Sequence, residues 1–71
     1  MIVNVTQFEA GTILAIRENG GKVDRKGGAY WAGSIMIQST ILVSMYEKGI
    51  IEIEFIGIAL LDEVEYVIIS D

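Results

Sequence analysis

Residues 6–20 read Thr6-Gln7-Phe8-Glu9-Ala10-Gly11-Thr12-Ile13-Leu14-Ala15-Ile16-Arg17-Glu18-Asn19-Gly20, and whether they form a helix or a strand decides the fold class. Thr6 and Glu9 have capping-box spacing: the Thr6 hydroxyl can accept from the third amide while the Glu9 carboxylate reaches back to the first. Asn19-Gly20 is a natural helix stop, because glycine accepts the left-handed backbone. The pattern in between is less helical. Phe8, Ala10, Ile13, Leu14, Ala15 and Ile16 spread around the wheel, and Gly11 costs about 1 kcal/mol against alanine. The rival is a strand over Thr12–Arg17 that turns at Glu18-Asn19-Gly20-Gly21. The caps favour a helix over Gln7–Glu18. The chain then reads as α+β, one N-terminal helix packed on an antiparallel sheet of about four strands. The strand reading would give an all-β, SH3-like small barrel.

Outward from that segment, Met1–Val5 is a short apolar edge strand or lead-in. Tyr30–Gln38 and Thr40–Tyr46 are rich in β-branched and aromatic residues and are predicted strands. Glu47-Lys48-Gly49 reads as a three-residue hairpin loop. Ile51, Ile53 and Phe55 alternate with Glu52 and Glu54, the cleanest period-two signal in the chain. Leu60–Glu63 suggests a turn or short helical connection. Val64–Ser70 returns as a strand, apolar on both faces apart from Glu65, which predicts a central or interface position. No proline, repeat or linker divides the chain, so residues 1–71 form a single domain.

At 71 residues, 52% of them hydrophobic, with a mean hydropathy of +0.51, the chain sits near the lower size limit for a self-sufficient core. A lone monomer cannot bury all of its Ile, Val and Leu, so part of the apolar surface is expected to meet another subunit or a partner. The net charge of −5 is unevenly placed. Residues 1–46 carry four cations against three carboxylates, whereas residues 47–71 carry Lys48 against seven. An acidic total argues against nucleic-acid polymers as partners. The chain has no cysteine and no histidine, which removes disulfides, thiol nucleophiles and the Ser-His and Cys-His systems, and leaves any metal to carboxylates alone. No apolar run reaches the roughly 18–20 residues that span a bilayer, and the start lacks a signal-peptide pattern. The expected location is the cytoplasm, with no membrane partner.

The chemistry-bearing stretch is Gly20–Trp31, GGKVDRKGGAYW. Glycines let backbone approach a ligand, cations meet phosphate, and aromatics stack. Lys22 and Arg25 could hold a phosphate, Arg25 bidentately, or be ordinary solvated loop cations. Gly27 shapes the loop. Tyr30 and Trp31 open a strand and so point to opposite faces; one should enter the core and the other could stack on a purine. Asp62, Glu63 and Glu65 could perform acid–base work, bind a divalent cation or simply coat a turn, and Asp62 alone could accept from ribose hydroxyls. No nucleophile arrangement accompanies them, so an enzyme is not expected.

Two segments carry a family resemblance. Asn19-Gly20-Gly21-Lys22-Val23-Asp24-Arg25-Lys26-Gly27, followed by Tyr30-Trp31, places Lys-Val-x-Arg-x-Gly and an aromatic after a helix end. Leu60-Leu61-Asp62-Glu63-Val64-Glu65-Tyr66-Val67-Ile68 is a closing strand led by Leu-Leu, an acidic residue and an aromatic. Together they resemble the small phage anti-Thoeris proteins that act as sponges for cyclic ADP-ribose-type signals. Gly28-Ala29 lengthens the step from Arg25 to the aromatics, Tyr66 stands where the family has Trp, and Ser39–Gly57 has no counterpart. The resemblance implies a non-enzymatic, oligomeric protein that sequesters a small nucleotide-like signal in an infected bacterial cell, without a cofactor. Arg25, Gly27 and Trp31 would be ligand contacts, with Tyr30 as the competing ring. The alternative expectation is a small acidic inhibitor or adaptor that acts on a host enzyme through its acidic strand face.

Overall fold

A computed structural model describes residues 2–54, 57–61 and 64–69. The elements run β1 (Ile2–Val5), α1 (Gln7–Glu18), β2 (Lys22–Lys26), β3 (Ala29–Ala32), β4 (Ile35–Ile37), α2 (Ser39–Glu47), β5 (Ile51–Glu54), β6 (Gly57–Leu60) and β7 (Glu65–Ile68). The fold is α+β. An antiparallel five-stranded sheet runs in the order β4-β3-β2-β6-β5, and β1 pairs with β7 in a separate two-stranded parallel sheet.

Helix α1 forms as its caps dictate. The Glu9 amide donates to the Thr6 hydroxyl at 3.2 Å, and the Thr6 amide donates to the Glu9 carboxylate at 2.9 Å. At the other end Gly20 takes φ 74°, and the amides of Gly20 and Gly21 donate to the carbonyls of Arg17 and Ile16, the two bonds of a Schellman stop. With a helix here the all-β barrel is not formed. The helix buries Ala10, Ile13 and Ile16 against the sheet.

The expected strand over Thr40–Tyr46 is instead the second helix, α2. Leu42 and Met45 are its buried residues and Ile41 packs beside them, a helical spacing whose burial outweighs the β-leaning of Ile and Val. Glu47-Lys48-Gly49 is accordingly a helix end and not a hairpin. Lys48 is the C-cap, Gly49 takes φ 75°, and the amides of Gly49 and Ile50 donate to the carbonyls of Tyr46 and Met45. Tyr30–Gln38 is broken at Gly33-Ser34 into the hairpin β3–β4. The glycine stretch is mostly strand too: β2 and β3 turn through Gly27 and Gly28, both at positive φ, as a two-residue hairpin demands.

Cross-strand register sorts the sheet's faces, because residues directly opposite share a face. Val23, Arg25, Tyr30, Ala32, Ile37, Ile51, Ile53 and Ile58 fall on one side. That side is the core side, where Val23, Ala32, Ile37 and Ile51 are buried with residues of both helices. Lys22, Asp24, Trp31, Met36, Glu52, Glu54 and Ala59 fall on the outer side. β7 does not lie centrally: it flanks β1, and Val67, Ile68 and Ile69 are exposed. Phe55 and Ser70, which close the expected strands, lie outside the described residues.

Candidate functional site

The hairpin divides the sequence-predicted site between two faces. Arg25 and Tyr30 are register partners on the core side, with the Arg25 guanidinium 5.9 Å from the Tyr30 ring centroid. Such a cation over an aromatic face is worth about 0.5–1 kcal/mol at an exposed position. Beside them is an open depression of about 470 Å³ that also touches Ile53, Glu54, Gly57 and Ile58. Tyr30 is the aromatic that packs against the core. Trp31 is on the outer side, between Asp24 of β2 and Met36 of β4. Lys22 shares that outer side, where the Asn19 side-chain amide donates to the Lys22 carbonyl and to the Asp24 carboxylate. Gly27 is in the turn. Asp62 lies outside the described residues. Arg25 and Trp31 therefore cannot close on one ligand within a single chain.

The structure brings together a constellation that the sequence reading missed. The Glu9 carboxylate, 3% exposed, accepts from Lys48 Nζ at 2.6 Å and from Ser44 Oγ at 2.8 Å while also capping α1. Burial is the largest influence on Glu9 and pushes its pKa up. The hydrogen bonds from Lys48, the Thr6 amide and Ser44, with the charge of Lys48, together outweigh burial and lower the pKa from 4.5 to about 2. Both ions also sit where helix dipoles favour them, Glu9 in the first turn of α1 and Lys48 at the end of α2. The Ser44 hydroxyl is committed as a donor to Glu9, so Lys48 does not activate it as a nucleophile. This cluster clamps the two helices at the floor of an open groove of about 650 Å³ walled by Phe8, Met36 and Ile41.

A second groove, about 150 Å³, runs between α2 and the sheet edge and is lined by Tyr30, Leu42, Val43, Tyr46, Ile53 and Ile58. On the opposite face of the same edge, Glu52 and Glu54 stand side by side. Their shared hydrogen bond pushes Glu52 above the ordinary carboxylate value, and lost hydration and the Glu54 charge add to this. Period-two alternation marked Ile51–Glu54 as a strand. Its position at the edge of the sheet, next to a helix, had no sequence signal. Among the described residues no group of three or more acidic side chains is placed to hold a metal ion, and no helix is long and apolar enough to cross a membrane. No family model, no curated protein and no solved structure matches the chain.

Proposed function

We propose that the protein is a non-enzymatic protein-binding module, an inhibitor or adaptor, that engages its partner through β5 and the neighbouring face of α2. The observation that carries this is the pairing of two unlike surfaces at one edge. Val43, Tyr46 and Ile53 are exposed large apolar residues, and Glu52 and Glu54 line the reverse face of the same strand. An exposed apolar patch is the ordinary mark of a protein-interaction site, and the carboxylates on the reverse face give a partner that wraps the edge a charge to meet. The test is affinity capture from a lysate of the source cell with wild type and with Glu52→Lys/Glu54→Lys. Both substitutions are on exposed side chains, so the fold should persist. The expected outcome is loss of the captured protein in the double variant. Identical capture by both forms overturns the reading.

The Arg25–Tyr30 pair favours a second reading, sequestration of a cyclic nucleotide-type signal by an oligomer. Arg25 would meet phosphate, worth roughly 1.5–3 kcal/mol for a charged hydrogen bond, and Tyr30 would stack on the base, worth roughly 1–3 kcal/mol. Trp31 is on the other face, so a second subunit would have to present it. Titration calorimetry with cyclic ADP-ribose isomers and cyclic dinucleotides should then give heat with wild type and at least tenfold weaker binding with Arg25→Ala. No heat from any of these ligands with wild type removes this reading.

A further inference from the structure

We propose that the free edge of β5 receives an extended partner segment in which apolar and basic residues alternate, added to the sheet as a further strand; this rests on the protein-binding reading above. β5 ends the five-stranded sheet, so among the described residues one side of it has no neighbouring strand. The phase of its pairing follows from the ladder. The Leu61 amide donates to the Ile50 carbonyl at 2.9 Å, and bonded pairs alternate with non-bonded ones along an antiparallel ladder. Glu52 and Glu54 therefore turn their backbone groups toward Ala59 and Gly57 on β6, while Ile51 and Ile53 turn theirs outward. Ile51 is only 2% exposed, so its outward groups are covered, and the accessible template for strand addition is the Ile53 amide and carbonyl.

The side chains specify what the added strand must look like. It would share the pleat of β5, so its alternate residues lie beside the two faces of that strand. One set would lie against Ile53, which is 65% exposed, and against Val43 and Tyr46, and there apolar residues fit. The other set would lie beside Glu52 and Glu54, whose carboxylates crowd each other, and there Lys or Arg relieves the like charge. Edges that reject pairing carry charge, proline or a bulge; Ile51–Glu54 has no proline, and its charge is all negative, so it repels acidic strands and admits basic ones. A second copy of β5 is a poor occupant, because it would bring two more carboxylates to the same face.

The experiment uses the full chain, labelled with nitrogen-15, and a capped peptide of about seven residues alternating lysine and valine. A block-ordered peptide of the same composition and an alternating glutamate–valine peptide are the controls. The expected result is that only the alternating basic peptide binds and slows amide exchange at Ile53 at least tenfold. Glu52→Gln/Glu54→Gln, which keeps side-chain size, should weaken it at least tenfold. Ile53→Pro should abolish it while the β5–β6 ladder persists, since the lost amide is the outward one. Absence of binding, equal binding of the block peptide, or binding without protection at Ile53 each overturns strand addition. Charge-dependent capture from the lysate would still stand in those cases, and its loss would overturn the wider reading separately.

Discussion

Glu9 joins three parts of the chain through one carboxylate: the Thr6 amide, the Ser44 hydroxyl and the Lys48 ammonium. Its pKa falls from 4.5 to about 2 on folding, so the folded state binds fewer protons than the unfolded chain between those values. The resulting stability is fully present above about pH 4.5 and is lost as the pH falls toward about 2. A shift of that size corresponds to about 3 kcal/mol. Glu9→Gln should thus lower the unfolding free energy by about 2–3 kcal/mol at pH 7, and the gap from wild type should close toward pH 2. Thermal melts of both proteins across that pH range read it directly; a gap that does not change with pH defeats the assignment. Only half of this residue's role was legible in the sequence. Capping-box spacing is local, over three residues, whereas Ser44 and Lys48 are brought to Glu9 by packing alone. Tyr30 and Trp31 show the same division: strand alternation places them on opposite faces, but the hairpin that sends Trp31 outward with Asp24 and Met36 depends on where Tyr30–Gln38 breaks.

Both helices end in the same glycine stop, yet only one was readable. Asn19-Gly20 follows a segment with a capping box, so its glycine reads as a terminus. Lys48-Gly49 follows Thr40–Tyr46, whose β-branched content reads as strand, so the same kind of glycine reads as a hairpin turn. The spacing of Ile41, Leu42 and Met45 was the available helical signal, and buried packing decided between the two. The stop is measurable. Gly49 has φ 75°, where a Cβ costs about 1–2 kcal/mol, so Gly49→Ala should destabilise by about that amount. Gly11 is the converse, an exposed position inside α1 where an added Cβ would meet nothing within 4 Å beyond its chain neighbours and the helix's own backbone. Gly11→Ala should stabilise by about 0.5–1 kcal/mol. Urea unfolding of the two variants should move the midpoint in opposite directions, and a shift of the same sign in both contradicts the helix ends described here.

Eleven large apolar side chains stand exposed among the described residues, more than isolated surface exposure of such residues accounts for in a chain this short. They fall on α1, at β4, at the α2–β5 edge and at β1 and the end of the chain around β7, and the β1–β7 pair is a two-stranded parallel sheet, a form normally covered on both faces. Self-association at micromolar concentration is the expected outcome. Light scattering should report a mass above the 7.8 kDa of one chain, and a monomer across that range would leave the apolar surface to a different protein. The pairing of β1 with β7 has a further consequence for how the molecule comes into being on a ribosome. Residue 2 finds its partner at residue 65, so a growing chain that has emerged only through β6 carries β1 with nothing to zip onto. Closing so long a loop is slow beside the local turns of β2–β3 and β3–β4. The two central hairpins can therefore be in place while Val3 and Val5 still wait for a neighbour, and synthesis itself sets the order in which the molecule closes.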